Sequence, residues 1–445
     1  MTSTSAIRID RQKARLVTAK IGLWLSLLPA IIDYKTPTGT SWSTPFYGII
    51  LAVGLIGVSI LVLAFGFTRW SIYRMFVAIS IVFLLVSTAN GFYWGVPFED
   101  TLRLFPPVLL YVGGLMAVGA LMASGLNPID LWKTVLKAAF IGLLAQVAFV
   151  ASIEGIDLNT IRYQILIGST PLLSAYLVGA IMIGGWVVWT TLMSITNATL
   201  ILVSVTRTQI LVLLVIISAY VLMARERMLN LSRISLQLFV AFAIVVVLVS
   251  IDSVLPVSQI ERWVERFTVP ETHHGGYDVT EITRAGESGR QIELLKAHPV
   301  SMLIGYGVAH PTGMTDEARA IAIMLVGSAG DYIGTGFGHN HYVGTVFVGG
   351  FLAGGALLLS QIWASLRALT LIRFMSSVTR RRQFRWLISA PLAVIAYMGF
   401  GLLAGTLYSR SYALMFAVSI GFTLWIYGSV ERYLRSEMAP PRKHQ

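Results

Sequence analysis

The chain has 445 residues, of which 56% are hydrophobic and only 12% charged, with a mean hydropathy of +0.75. Soluble chains carry about 25% charged residues, so soluble, nucleic-acid-binding and disordered classes are excluded. The net charge of +12 then reports basic loops at a membrane rather than a nucleic-acid partner, and the absence of Cys excludes disulfides, thiolate metal sites and Cys nucleophiles.

Apolar runs long enough to cross a bilayer as helices predict an all-α polytopic membrane protein with about twelve spans. They fall near 20–33, 46–67, 72–90, 105–124, 131–151, 166–187, 190–205, 208–223, 236–255, 341–362, 386–407 and 411–429. The first, seventh and eighth are short, and 166–223 divides in more than one way. The basic N-terminus runs into the first apolar segment with no small-residue cleavage site, the pattern of a signal anchor. Charge sets the orientation. With both termini cytoplasmic, the inside segments hold 22 Lys/Arg and 5 Asp/Glu, and the outside segments 11 and 16. Arg225, Arg227 and Arg233 fall in one inside loop, and Arg380, Arg381, Arg382 and Arg385 in another. The chain therefore divides into 1–251 with nine spans, a large outer loop over 252–340, and 341–445 with three spans and a cytoplasmic tail.

The outer loop carries helix and turn signals and reads as a mostly helical cap. Ser258 to Phe267 sets Ile260, Trp263, Val264 and Phe267 on one face, as an interfacial helix does. Ser288 precedes a helical stretch that stops before Pro299. Gly305, Gly307 and Pro311 punctuate the next segment, and 316–325 reads as a further helix. The Gly-rich stretch GSAGDYIGTGFGHNHY then leads into the tenth span.

Four histidines lie in this region: His273, His274, His339 and His341. They lack an HExxH spacing or a carboxylate cluster, so no metal ligand set is expected. His339, beside Asn340 at the mouth of a span, is either an interfacial histidine bonded to backbone or a proton acceptor near its ordinary pKa. Arg207 lies between two apolar segments at the outer side. It is either a snorkelling side chain or a guanidinium facing a cavity that binds an anion. Arg290 opens a cap helix, and Arg410 lies in the last outer turn. Each is either a solvated charge or an anion ligand. Gly350 and Gly354 form a GxxxG, the signature of close helix packing.

Three segments succeed one another in a recognisable order: TRTQILVLL at 206–214, SGRQIELLKAHPVSMLIGYG at 288–307 and HNHYVGTVFVGG at 339–350. In order, spacing and topology they resemble the O-antigen ligase and polymerase superfamily. There a Ser-Arg or Thr-Arg lies near a span pair, and a large periplasmic loop carries an Arg-bearing helix, a His-Pro and a Gly-rich turn. A His-Asn then opens the next span, with a Gly ten positions on, as Gly350 stands from Asn340. The resemblance covers about 190–355. Ala353 and Thr206 depart from the ligase pattern, which leaves ligase and polymerase open.

The resemblance implies a metal-independent, cofactor-free glycosyltransferase of the bacterial inner membrane. Its donor would be a glycan on undecaprenyl diphosphate, and its acceptor lipid A–core for a ligase or a second lipid-linked glycan for a polymerase. It also implies catalytic roles for Arg207, Arg290 and His339, with Arg284, Asn340 and Arg410 as further substrate-binding candidates. The residue types suit the chemistry. Arginine offers a permanent charge and a planar fork for diphosphate oxygens, and imidazole can take the proton of an attacking hydroxyl. A polysaccharide or lipid-linked sugar transporter is the rival reading. It would place acids near mid-membrane and break spans in matching halves, whereas the acids here fall almost entirely in loops.

Overall fold

A computed structural model describes residues 3–33, 43–154, 168–183, 188–204, 206–224, 279–326, 336–377, 384–404, 407 and 409–438. About 86% of the chain so described is helical, and none of it is strand. The membrane-embedded part begins with α1 (Ser3–Ile31), α2 (Ser43–Phe65), α3 (Ser71–Tyr93), the short α4 (Phe98–Leu104), α5 (Pro106–Ala123) and α6 (Pro128–Glu154). It continues with α7 (Thr170–Ile183), α8 (Val188–Ser204) and α9 (Arg207–Met223). The cap contributes α10 (Val279–Ala297), α11 (Pro299–Ile304) and α12 (Asp316–Val326). The last part holds α13 (His341–Gly349), a π-helical turn (Gly350–Gly354), α14 (Gly355–Ser377), α15 (Phe384–Leu387), α16 (Ser389–Phe400) and α17 (Arg410–Met438).

This is an all-α membrane protein. Among the described residues, seven helical stretches are long and apolar enough to cross a bilayer. Four more apolar helices, within α7, α8, α9 and α16, are shorter. The ninth predicted span at 236–255, the amphipathic stretch 258–267 and the pair His273 and His274 lie outside the described residues.

The bundle is organised around α17, which packs on α1, α5, α14 and α16. Phe416, Phe422 and Trp425 of that helix are buried. Burial of this kind gives no hydrophobic gain against lipid, so close packing carries the association. The α1–α2 pair illustrates it: a Cβ on Gly57 would lie 2.4 Å from the Ser26 backbone nitrogen.

One feature of the cap differs from the sequence reading. Its first described helix starts at Val279, not after Ser288. Gly286 and Gly289, each unfavourable in a helix by roughly 1 kcal/mol relative to Ala, suggest a loop there. They instead let the chain around α12 approach, since a Cβ on Gly286 would sit 2.3 Å from the Ala318 Cβ. Gly350 of the GxxxG does serve close packing, since a Cβ there would lie 2.1 Å from the Leu303 carbonyl oxygen of α11. Gly350 and Gly354 also bracket the π-helical turn that interrupts the helical stretch His341–Ser376.

That interruption admits the cap into the bundle. In an unbroken helix the carbonyls of Phe347 and Val348 would accept from residues 351 and 352. Here they accept from the backbone N–H groups of Tyr306 at 2.8 Å and Gly307 at 3.0 Å. On the other flank, α3 completes the pairing. Val308 N–H donates to the Ser87 carbonyl at 3.1 Å, Trp94 Nε1 to the Gly305 carbonyl at 2.9 Å, and Asn90 Nδ2 to the Ile304 carbonyl. Phe347 is six residues into α13, so the cap segment reaches ~9 Å below the start of that helix. Non-helical backbone at such depth survives only where protein surrounds it, and Gly305 to Ala309 are all buried. Gly307, at φ +93°, has no room for a side chain, because a Cβ there would overlap the Gly91 backbone at 2.1 Å.

Candidate functional site

The site is assembled where the cap meets the start of α13. On α10, Glu287 and Gln291 are one turn apart and share a face. Both are buried against the turn that precedes α13. Gln291 Nε2 donates to the Gly336 carbonyl at 2.8 Å. One carboxylate oxygen of Glu287, Oε2, receives the backbone N–H of His339 and lies 2.8 Å from its Nδ1. The turn is held so close that a Cβ on Gly338, at φ +56°, would fall 2.8 Å from Gln291 Nε2 and 2.9 Å from the Glu287 carboxylate. Glycine is required there by both conformation and space.

This contact orients the imidazole. A carboxylate oxygen that already accepts a backbone N–H is an acceptor for the ring as well, so Nδ1 carries hydrogen and Nε2 is the basic nitrogen. The Glu287 side chain is 2% exposed and that of His339 41% exposed. The pair thus joins a buried acceptor to an imidazole at the surface of the site.

Asn340 caps α13. Its Oδ1 accepts from the backbone nitrogens of Tyr342 and Val343 at 3.0 and 3.1 Å, and its Nδ2 donates to the Leu402 carbonyl at 3.4 Å. The backbone N–H of His341 donates to the Gly401 carbonyl at 2.9 Å. The mouth of the span is therefore tied to the turn after α16. His341 itself is fully buried, with Nε2 2.8 Å from Gln361 Oε1, and Gln361 Nε2 reaches the Tyr111 hydroxyl at 3.1 Å. The neighbouring histidines of the HNH segment thus go to different surroundings, one to the cap and one to the bundle. Among the described residues no group of three or more His, Cys, Asp or Glu is arranged to hold a metal ion.

Arg290 lies on α10, three residues past Glu287. Its Nη1 is 3.1 Å from Glu293 Oε2, with both side chains about half exposed. Such surface pairs contribute only about 0.2–1 kcal/mol, so this one does little to fix the Arg290 side chain. Arg284 lies on the same helix, half-buried. Arg207 is the first residue of α9 and is half-buried. Two residues on, Gln209 reaches the Tyr412 hydroxyl at 3.5 Å.

Arg410, the first residue of α17, is engaged on two sides. Its guanidinium carbon lies 3.5 Å over the Tyr47 ring, and its Nε is 3.3 Å from Asp33 Oδ1, an ion pair without hydrogen-bond alignment. Asp33 is buried, and its Oδ2 accepts from the Ser411 hydroxyl at 2.5 Å and the Ser411 backbone nitrogen at 3.3 Å.

These contacts gather the candidates at one end of the bundle. Phe400 stacks on Tyr412 at 4.4 Å, so the end of α16 links the mouth of α13 to the Arg207 and Arg410 helix starts. Three helices, α9, α13 and α17, present their N-termini there. The dipoles of such ends favour negative charge, while the first N–H groups of α13 are already taken by the Gly401 carbonyl and Asn340. Glu287, Gln291 and Asp33 carry this arrangement, and the sequence motifs do not single them out. The Glu287–Gln291 spacing of four on a helix is the one signal that could have found them. Asp33 has none, since its partners lie 378 positions away.

The chain matches no family model and no curated protein. The site offers an oriented imidazole, Arg290 in an exposed ion pair, and three helix N-termini whose dipoles favour negative charge.

Proposed function

We propose that the protein is an integral-membrane glycosyltransferase of the O-antigen ligase and polymerase type, working at the periplasmic face of a bacterial inner membrane. In this reading twelve spans cross the membrane, both termini are cytoplasmic and the cap is periplasmic. The donor is a glycan on undecaprenyl diphosphate. Arg207 and Arg290 neutralise the diphosphate as it leaves the anomeric carbon. The acceptor hydroxyl oxygen forms the new bond to that carbon, and its proton passes to His339 Nε2. Glu287 holds the ring and stabilises the imidazolium that results.

The observation that carries this reading is the Glu287–His339 contact at the mouth of α13, on the helix that also bears Arg290. A carrier needs no base held in one tautomer at its surface. A ligase-type acceptor, lipid A–core, is the first assignment. A second lipid-linked glycan, the polymerase assignment, uses the same residues. The test is turnover of radiolabelled lipid-diphosphate glycan by the purified protein in detergent with EDTA, offered each acceptor separately. Transfer to either acceptor supports the reading and distinguishes the two. No transfer, together with donor movement across proteoliposomes, establishes the transporter instead.

A further inference from the structure

The bundle holds a recess at the end opposite the cap, a cavity of about 900 Å³. Three walls enclose it: the α2–α3 connection at 66–70, the last turn of α5 with Met122 and Ala123, and the part of α17 bearing Trp425, Gly428 and Glu431. The 22 residues from Arg410 to Glu431 rise ~33 Å along the helix, about one hydrocarbon thickness. The recess is thus at the other membrane surface from Arg410 and the candidate site.

The connection that forms it is pinned. Thr68 N–H donates to the Gly119 carbonyl at 3.1 Å, Arg74 Nε to the Thr68 carbonyl at 2.7 Å, and Trp70 N–H to the Thr68 hydroxyl at 3.3 Å. Phe67 is pressed on Gly119, where a Cβ would lie 2.3 Å from its ring. Gly428 faces the Trp70 ring and has no side chain to fill the space between them. The loop is held against α5 and cannot collapse into the recess.

The lining has two characters. Phe65, Phe67, Ile72 and Met122 are apolar, while Thr68 and the exposed Arg69 are polar. Two further guanidinium groups attach to lining residues: Arg15 lies 5.8 Å over the Phe65 ring, and Arg74 holds Thr68. Among the described residues that line the recess or attach to its lining, these three cations stand against one acid, Glu431. The half-buried Trp70 lies at the end of α3 where aromatic rings commonly meet lipid head groups, while Trp425 forms the buried floor of this end. The exposed Leu63 and Ile72 continue the apolar wall outward. The volume is that of a ligand far larger than a phosphate ion.

We propose that this recess binds an anionic phospholipid of the adjoining leaflet. The phosphodiester sits at Arg69 and Thr68, and the first part of an acyl chain runs along Phe65, Ile72 and Met122. The lipid joins the α2–α3 connection to α17 and braces the bundle at that end. The site is independent of the transfer reaction and stands whether or not the protein is a transferase.

The test uses the full chain, delipidated in detergent, with native mass spectrometry and thermal melting as readouts. The probes are phosphatidylglycerol, phosphatidylcholine and sn-glycerol 3-phosphate. Phosphatidylglycerol is expected to remain bound on desolvation and to raise the melting temperature. Phosphatidylcholine does so more weakly, and the head group alone does neither. Arg69→Ala, at an exposed position, and Met122→Trp, which fills the recess from another wall, each lower phosphatidylglycerol retention ~10-fold. Arg373→Ala, an equal loss of charge at an exposed position of α14, leaves it unchanged. Equal retention of both lipids by all the proteins would mean only an unspecific lipid coat and overturn the site. A melting shift from glycerol phosphate as large as that from lipid would overturn the lipid assignment in favour of a small phosphate ligand.

Discussion

Glu287 and His339, 52 positions apart in the chain, meet through a single oxygen: Glu287 Oε2 takes the histidine's backbone N–H and holds its Nδ1, each at 2.8 Å. The cap helix thereby fixes both the path of the chain into α13 and the ring that stands at its mouth. Removing the imidazole and removing its holder should therefore differ in degree. His339→Ala is expected to lower turnover by ~10²–10⁴-fold, the usual worth of general acid–base help, with donor binding retained. Glu287→Gln should lower turnover less, ~10–10²-fold, because the ring stays while its tautomer is no longer imposed. Single-turnover transfer and donor binding measured on both variants check this. A Glu287→Gln protein with unaltered turnover would show that the contact serves the fold alone.

Arg290 and Arg207 are expected to act on the donor. Arg290→Ala and Arg207→Ala should weaken donor binding and turnover together. The Lys variants should not recover activity, since an ammonium keeps the charge but loses the bidentate fork. Glu293→Gln, which removes only the surface partner of Arg290, should leave transfer near the unmodified rate. Titration of the labelled donor against each variant decides it. Full activity in Arg290→Lys would reduce the role to a point charge.

Gly307 should tolerate no side chain. It combines φ +93° with a Cβ position 2.1 Å from the Gly91 backbone nitrogen. The backbone strain alone is worth roughly 1–3 kcal/mol, and the overlap with α3 adds to it. Gly307→Ala is expected to lower the melting temperature in detergent and expose the cap to limited proteolysis. Gly313→Ala, at φ +67° with open space around it, carries the strain without the overlap and should be milder. Equal melting of the two would show that the overlap relaxes freely.

Orientation can be read in this Cys-free chain with two exposed arginines at opposite ends. Arg319, on α12, belongs to the cap, and Arg69 to the α2–α3 connection. With the cap periplasmic, Arg319→Cys reacts with an impermeant thiol reagent in intact spheroplasts, and Arg69→Cys reacts only after lysis. The opposite pattern would invert the topology.

Hydropathy makes the long helices legible. The spans expected at 46–67 and 72–90 are found at Ser43–Phe65 and Ser71–Tyr93, because an apolar run in lipid has few alternatives to a helix. The same window misleads at 386–407. Helix α16 stops at Phe400, and the apolar pair Leu402 and Leu403 belongs to a turn just past Gly401. Composition does not register where a backbone turns. In the site, His339 is visible from its position before a span, but Glu287 is one acid among many until the fold brings it to that turn. The entry of 304–309 into the bundle is carried mainly by backbone groups. Side-chain pattern records such pairing only through Gly305, Gly307 and Gly350, whose positive φ values the sequence alone cannot reveal.

The way the cap is threaded between α3 and α13 sets an order for biogenesis. Ribosomal synthesis delivers Ser87, Asn90 and Trp94 first, then the segment 304–309, and only later the carbonyls of Phe347 and Val348. When the cap segment is made, its α3 partners are already in place and its α13 partners are not. The N–H groups of Tyr306 and Gly307 must wait for the next span to insert and break at Gly350. The helical stretch His341–Ser376 is thus the closing half of a clasp whose first half, on α3, is synthesised well before it.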